Sequence, residues 1–201
     1  MNREPTSSHP TATITPKKFA HAVLRTRGRY QEMVEWYRTV LNARVVAKAP
    51  HMAFLSYDDE HHRIAIVKVP HANPRNPTAE GLDHLSFTYG SLTDLLATYG
   101  RLNAAGIEPF CPVNHGPTTS LYYHDPDRNR IELQIDNFDD LKKCAELMKG
   151  LEGQNPIGLL VDPDELAAQL AAGATQEELV QKTAEQIGPL DPKLFEMITA
   201  P

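Results

Sequence analysis

Residues 122–136 read YYHDPDRNRIELQID, and the second half of this stretch predicts a β-strand with one buried face. Apolar and polar residues alternate there with the period of two that is typical of a strand: Arg130, Ile131, Glu132, Leu133, Gln134 and Ile135. An earlier stretch, DEHHRIAIVK at residues 59–68, has nearly the same frame, but Ala65 stands where the later copy has Glu132. The chain is therefore predicted to contain two related strands that differ in one carboxylate.

The similarity between the two halves of the chain extends upstream of these strands. KFAHAVLRT at residues 18–26 resembles GLDHLSFTY at residues 81–89, which places His21 opposite His84. Internal similarity of this kind indicates that one supersecondary unit occurs twice.

A helix-like segment follows each of these upstream strands. In residues 29–41 the apolar side chains fall on one stripe of a helix. Residues 91–106 begin with a Ser91–Asp94 capping box and end at Gly106, a residue type that commonly terminates helices. Three short strand-like segments then complete each half, so each half is predicted to be a βαβββ module.

The predicted fold class is α+β, built from paired βαβββ modules. Module one covers residues 17–70 and module two residues 81–136, and together they form a domain at residues 17–140. Residues 1–16 are expected to form a flexible N-terminal tail, and residues 141–201 a helical C-terminal extension. We expect this extension to cover a sheet edge or a subunit interface.

The composition is that of an ordinary soluble globular protein. Of the 201 residues, 41% are hydrophobic and 23% are charged, and no apolar run approaches the length of a membrane span. The net charge of −6 gives no electrostatic reason to expect nucleic acid or an anionic membrane as a partner. The N-terminus lacks the apolar core of a signal peptide, so we expect a cytoplasmic protein. Cys111 and Cys144 form neither a disulfide framework nor a metal-binding pair.

Two histidines and one carboxylate are candidate metal ligands. In strands, His84 and Glu132 lie on the face opposite their apolar neighbours. If helices cover the apolar faces, His21, His84 and Glu132 project together from the concave side. Two imidazoles and one carboxylate form the facial arrangement that suits Fe(II) with open positions. The alternative, in which each is an ordinary satisfied or exposed residue, stays open at this level.

One motif in module two is specific enough to point to a family. It consists of a histidine, a short gap, an aliphatic-Tyr pair, an Asp-Pro pair and a glutamate six residues beyond the proline: His115, Leu121-Tyr122, Asp125-Pro126 and Glu132. The motif resembles that of the vicinal oxygen chelate superfamily and, within it, of the type I extradiol ring-cleavage dioxygenases. Over about residues 17–140 the chain is similar to the small two-module form related to 2,3-dihydroxybiphenyl dioxygenases. Arg128 departs from the family pattern, which usually has Gly or Pro at that turn position.

This resemblance implies a cup-shaped mixed/antiparallel sheet around a metal site. It makes His21, His84 and Glu132 the metal ligands and Fe(2+) the cofactor, with Mn(2+) compatible with the same ligand set. Three protein ligands leave about three of the six positions of an octahedral ion open. Ala65, the counterpart of Glu132, keeps a fourth protein ligand away from those positions.

The resemblance also implies three catalytic residues. The family's HHxxA segment is matched at residues 61–65, and its second histidine, His62, is the expected acid/base. His115 is implied to be a second pocket histidine. Tyr122 is implied to be a phenol that hydrogen-bonds the bound catecholate.

The expected function is Fe(II)-dependent extradiol cleavage of a catechol-type diol with O2, which gives a muconic semialdehyde-type product. One alternative is another metal-dependent reaction of the same superfamily, catalysed by a glyoxalase-like lyase, isomerase or transferase. A second alternative is a metal-free protein that binds an aromatic molecule or a drug. The expected partners are the small aromatic diol, O2 and further copies of the chain, in a homo-oligomer that is a dimer or larger.

Overall fold

The computed structural model describes residues 14–76, 78–151 and 155–200. The predicted tail at residues 1–16 therefore lies largely outside the described residues. Module one is a βαβββ unit, as predicted. Its elements are β1 (Ala22–Thr26), α1 (Tyr30–Val40), β2 (Arg44–Ala49), β3 (Met52–Ser56) and β4 (Ile64–Lys68).

Module two repeats the same order of elements. These are β5 (His84–Thr88), α2 (Leu92–Ala104), β6 (Cys111–Asn114), β7 (Thr118–His124) and β8 (Arg130–Asp136). The Ser91 hydroxyl accepts a hydrogen bond from the Asp94 amide at the start of α2, so the predicted cap is confirmed. Gly106, with φ +74°, follows the helix in the left-handed region that favours glycine.

The C-terminal segment is mainly helical but also contains one short strand. Its elements are α3 (Leu141–Leu151), β9 (Leu159–Leu160), α4 (Pro163–Ala171), a π-helical turn (Glu177–Gln181), α5 (Lys182–Glu185) and α6 (Pro192–Thr199). The strand was not predicted, because two residues carry no periodicity. It pairs with β6 at one edge of the second sheet. Gly158 (φ +112°) allows this close approach, since a Cβ there would overlap the Asn114 carbonyl group.

The strands form two mixed sheets with the same internal register. The first sheet has the order β1-β4-β3-β2 and the second the order β5-β8-β7-β6-β9. In each sheet the first pair is parallel and the remaining pairs are antiparallel. The register places Val23 beside Ala65 in the first sheet and Ser86 beside Glu132 in the second. The alignment of the two modules that was read from the sequence is thereby confirmed.

One hydrophobic core joins the two modules. It combines the buried stripes of both helices with one face of each sheet, through residues that include Met33, Val34, Leu55, Ile64, Ile66, Leu95, Leu102, Leu121, Ile131 and Leu133. Since both sheets use the face without the candidate ligands for this core, the ligand-bearing face of each sheet turns away from it. The α+β class is confirmed, but the two sheets stay separate and do not close into one cup.

The turn between β7 and β8 is held by the aspartate of the motif's Asp-Pro pair. The buried Asp125 carboxylate accepts hydrogen bonds from the backbone amides of Asp127 and Asn129 and from the Tyr37 hydroxyl of module one. Arg128 in this turn has φ +68°, a conformation that side-chain-bearing residues rarely adopt. The aspartate therefore holds both the turn and the contact between the modules.

No helix among the described residues combines the length and the apolar character needed to cross a membrane.

Candidate active site

Four polar side chains of module two meet on the outward face of the second sheet. Tyr122 on β7 lies directly opposite Glu132 on β8, and both side chains point away from the core. His84 opens the neighbouring strand β5 on the same face. His115, just beyond β6, reaches the Tyr122 hydroxyl. The sheet register therefore brings together four of the six predicted site residues.

Glu132 is the electrostatic centre of this cluster. It is only 5% exposed, its Oε1 accepts a 2.9 Å hydrogen bond from the Tyr122 hydroxyl, and its Oε2 lies 3.2 Å from His84 Nε2. Burial raises the pKa of this carboxyl, but hydrogen bonds to the carboxylate outweigh burial and hold the pKa at about 2. The donors of these hydrogen bonds are His84, Ser120, Ser86 and Tyr122. The carboxylate is therefore charged at neutral pH.

His84 is held between two carboxylates. Besides Glu132 at Nε2, it has Asp83 Oδ2 2.7 Å from Nδ1. The hydrogen bond with Glu132 raises the pKa of His84 to about 9 against the effect of burial, and Asp83 adds to the rise. Asp83 in turn lies 3.3 Å from Arg130 Nη1. Asp83 was missed in the sequence, although it is an acid next to a candidate ligand. It contacts Nδ1 and so orients the ring with Nε2 toward Glu132.

His115 and Tyr122 form a proton-sharing pair. His115 Nδ1 contacts the Ile157 carbonyl oxygen, which can only accept, so Nδ1 carries the ring proton. Burial lowers the pKa of His115, which keeps the ring neutral and leaves Nε2 as an acceptor 3.0 Å from the Tyr122 hydroxyl. The single hydroxyl proton of Tyr122 thus has two acceptors in reach, Glu132 and His115.

The C-terminal segment forms one wall of this cluster. Leu194, Met197 and Ile198 of α6 pack in a small cluster with Cys111 and Tyr122. The expected covering of a sheet edge is confirmed by the pairing of β9 with β6. The contribution of this segment to the site, through the Ile157 carbonyl and α6, was missed because short helices give no signal of what they cover.

The other two predicted site residues lie together on module one. The rings of His21 and His62 have centroids 4.3 Å apart, and Phe54 packs edge-on against His62 at 4.9 Å. Burial, helped by the neighbouring His21 and His61, lowers the pKa of His62. Ala65, which is 2% exposed, lies on the same face of the sheet as Phe54, its partner on β3.

Two donor atoms of the chain, His84 Nε2 and Glu132 Oε2, are spaced like two neighbouring ligands of one metal ion. Two ligands bound at right angles to one ion at about 2.1 Å lie about 3 Å apart, close to the 3.2 Å between His84 Nε2 and Glu132 Oε2. His21 lies instead against His62 on module one. Within residues 14–76, 78–151 and 155–200, no three His, Cys, Asp or Glu side chains are grouped so that they could hold a metal ion.

The chain thus combines paired βαβββ modules with a His/Glu/Tyr cluster on the outward face of one sheet. The family model described as Glyoxalase/Bleomycin resistance protein/Dioxygenase superfamily matches residues 18–133, and the chain belongs to this superfamily. A solved glyoxylase/bleomycin resistance protein/dioxygenase domain from Frankia sp. EAN1pec shares the fold. It has a TM-score of 0.51 and 22% identity, over 61% of this chain and 99% of that chain.

Two curated relatives from Rhodococcus globerulus are similar over most of their length. Biphenyl-2,3-diol 1,2-dioxygenase 2 is 47% identical over 169 residues, which cover 83% of this chain and 88% of the relative. Biphenyl-2,3-diol 1,2-dioxygenase 3 is 44% identical over 173 residues, 85% of this chain and 90% of the relative. Since residues 17–140 number fewer than the aligned residues, the similarity extends beyond the paired modules.

Proposed function

We propose that the protein is an Fe(II)-dependent extradiol dioxygenase that cleaves a catechol-type aromatic diol, of the biphenyl-2,3-diol kind, with O2. The observation that carries this proposal is the cluster of His84, Glu132, Tyr122 and His115, in a chain 47% identical to a biphenyl-2,3-diol 1,2-dioxygenase. The reaction breaks one ring C–C bond beside the diol and adds both oxygen atoms of O2. The electrons come from the diol, so no further reductant is needed.

The proposed metal ligands are His21, His84 and Glu132. Bound Fe(II) would supply a Lewis acid for the diol and a site for O2. The low pKa of Glu132 keeps the carboxylate ready to bind without losing a proton first. Asp83 fixes the His84 ring so that Nε2 points toward Glu132.

The proposed proton acceptor for one diol hydroxyl is the pair of Tyr122 and His115. Since His115 Nε2 is an unprotonated acceptor next to the Tyr122 hydroxyl, a proton that reaches this phenol can pass on to the imidazole. The anchor of Nδ1 on the Ile157 carbonyl keeps the ring in the orientation that this transfer needs. His62, with a lowered pKa, is the proposed second acid/base, which returns a proton to the opening ring.

Ala65 favours this function over a glyoxalase-like reaction. A second carboxylate at this register position would add a protein ligand, and the open positions that a chelating diol and O2 require would be lost. A metal-free binding protein is the less favoured alternative, because both curated relatives are named as dioxygenases. We further propose that the enzyme works in the cytoplasm, without nucleic acid or membrane as a partner.

The test is anaerobic loading of the purified protein with Fe(II), followed by addition of biphenyl-2,3-diol and of simple catechols in air-saturated buffer. We expect a yellow ring-opened product and one O2 consumed for each diol. The matched control is the same protein loaded with Zn(II), which lacks redox chemistry and should give no product. Absence of both colour and O2 uptake with every diol, in protein that holds iron, would overturn the proposal.

A further inference from the structure

We propose that the protein has a second binding site, a cleft lined by arginines that takes a small dianion carrying phosphate or carboxylate groups. The cleft has a volume of about 350 Å³ and lies at the junction of the two modules. Its arginines are Arg25, Arg27, Arg29, Arg75 and Arg128. Among the residues that the structure describes, its lining includes none of the proposed metal ligands or acid/base residues, so the inference does not depend on the proposed function.

Three segments that are far apart in the sequence form the walls of this arginine cleft. They are the end of β1 with the turn into α1, the loop between β4 and β5, and the turn between β7 and β8. The Arg29 guanidinium donates a 2.6 Å hydrogen bond to the Pro126 carbonyl. The Arg75 guanidinium donates a 2.7 Å hydrogen bond to the Arg128 carbonyl. These bonds fasten the walls to one another, and each uses a single N–H of a guanidinium that has several more.

The positive charge of the arginine cleft has little compensation from the rest of the chain. Within the described part of the chain, four of the five arginines form no salt bridge with a carboxylate: Arg25, Arg27, Arg75 and Arg128. The fifth, Arg29, has Glu32 at 4.0 Å, and both of these side chains are more than half exposed. The chain as a whole has a net charge of −6, so its composition does not account for this local excess of cations. Cations gathered in this way repel one another and attract an anion.

A neighbouring histidine also experiences these positive charges. His124 ends β7, next to the turn that forms one wall of the cleft. Burial lowers the pKa of His124 to about 4, and the nearby Arg128, Arg130 and Arg75 add to the decrease. Two of these three arginines line the cleft, and a further cation beside them is disfavoured. The potential around the cleft is therefore positive.

Two of the arginines occupy positions that are locally unfavourable for them. Arg128 has φ +68° in the β7–β8 turn, where glycine would be unstrained. Arg29 is the N-cap of α1, where it makes no side-chain cap hydrogen bond and places a cation at the positive end of the helix dipole. Local stability therefore does not account for either arginine, and an unfavourable residue at a cleft supports a role in binding.

The donors and the size of the arginine cleft indicate the class of ligand. A guanidinium binds a phosphate or a carboxylate through two parallel N–H bonds. Several guanidinium groups around about 350 Å³ suit a compact molecule with two negative charges. A nucleic acid would instead require an extended basic surface, which a chain with a net charge of −6 does not favour. Phosphate monoesters and dicarboxylates share the chemistry that the cleft would recognise.

The test measures the binding of glycerol 3-phosphate and of succinate to the full-length, iron-loaded protein. Sodium chloride at the same ionic strength is the reference, because it screens charges without supplying a dianion. We expect saturable binding in calorimetric titration and a rise in melting temperature, since a ligand that binds only the folded state stabilises it. Tighter binding of glycerol 3-phosphate would assign the cleft to phosphate esters, and tighter binding of succinate would assign it to carboxylates.

Arg27→Gln and Arg128→Gln test whether the cleft is where the dianion binds. Each change removes one cation but retains most of the side-chain length, so the affinity should fall by about 10-fold or more. Arg38→Gln is the matched control, because Arg38 is an exposed arginine of α1 that pairs with Glu35 and does not line the cleft. Arg38→Gln should bind like the wild type. His84→Ala should do so as well, which separates the cleft from the proposed metal site.

Arg128→Gly keeps the proposal testable if a glutamine variant folds poorly. Glycine relieves the positive φ, so this variant should be at least as stable as the parent without ligand and yet gain less stability from the dianion.

Four results would overturn the proposal. Wild-type protein that binds neither dianion would do so, as would unchanged affinity in all three cleft variants. A loss of affinity in Arg38→Gln as large as in the cleft variants would show that only the net charge matters. Loss of binding in His84→Ala, with normal binding in the cleft variants, would place the dianion on the metal instead.

Discussion

Ala65 and Glu132 occupy equivalent positions in the two modules, and only one of them is a metal-ligand type. Each lies on the strand that pairs in parallel with the first strand of its module, opposite Val23 and Ser86 respectively. Both side chains are almost fully buried. The repeat thus supplies two similar faces, and the chain uses a carboxylate on one and a methyl group on the other.

Ala65→Glu should retain iron but lose diol binding. An unpaired buried carboxylate costs several kcal/mol, so the new side chain will bind the nearest cation, which is the proposed metal. Iron per chain should equal or exceed that of the parent, while the spectral change on adding a catechol under nitrogen should disappear. Ala65→Gln has the same bulk without the charge and isolates the effect of ligation. Wild-type diol binding in the Glu variant would show that residue 65 does not face the metal.

Tyr122→Phe should leave iron in place and slow turnover by about 10- to 100-fold, the scale of one hydrogen bond to a charged group. The change removes the 2.9 Å bond to Glu132 and the partner of His115 Nε2. Turnover and bound iron are measured on the same preparation.

The neighbouring Tyr123→Phe is the matched control. The Tyr123 hydroxyl is buried with no hydrogen-bond partner within the described part of the chain. Its removal should leave activity unchanged and raise stability by up to about 1 kcal/mol, because a desolvated hydroxyl is lost. Equal losses of turnover in the two variants would mean that Tyr122 matters only for packing.

The modules were predictable because several separate local signals indicate the same order of strands and helices. The alternation in residues 130–135, the capping box at Ser91 and the stop at Gly106 are all local signals, and all three appear in the structure. No pattern in the sequence indicated how the two sheets are placed relative to each other. That placement depends on long-range contacts, such as the bond from Tyr37 to Asp125, that leave no periodic trace.

For the candidate site, too, the sequence predicted what depends on local strand patterns and not what depends on long-range contacts. His84, Glu132 and Tyr122 converge because strand register alone brings them together. His21 depends on how the modules are arranged, and Asp83 on a side-chain contact between neighbours. Neither can be derived from the alternation of polar and apolar residues.

Asp83→Asn should weaken iron binding by about 10- to 100-fold, as expected for the loss of a hydrogen-bond partner of His84, a proposed metal ligand. Asparagine retains the shape but removes the charge that accepts from His84 Nδ1 at 2.7 Å. The measurement is competition for Fe(II) against a chelator of known affinity. Asp59→Asn, an exposed acid on module one, is the control for a change of net charge. Equal iron affinities in the two variants would show that Asp83 does not contribute to iron binding.

His62→Phe should leave iron content normal and slow turnover by about 10²-fold or more, the scale of a lost acid/base. Phenylalanine preserves the packing against His21 and Phe54 but has no proton to transfer. His71→Phe, which changes an exposed histidine in a loop, controls for the loss of an imidazole. Turnover at the wild-type rate in His62→Phe would show that His62 is not the acid/base and would make His115 the candidate for that role.

Arg128→Gly should stabilise the protein by about 1 kcal/mol. Arg128 has φ +68°, where the Cβ of an L-residue meets its own backbone, at a cost of roughly 1–2 kcal/mol. Glycine removes this strain, although its greater freedom in the unfolded chain returns part of the gain. Asn42→Gly is the control, since Asn42 also has a positive φ, 47°, but asparagine tolerates that region. Chemical denaturation should therefore show a higher midpoint for Arg128→Gly and little change for Asn42→Gly. A lower midpoint for Arg128→Gly would mean that the side chain stabilises the β7–β8 turn by more than its backbone strain costs.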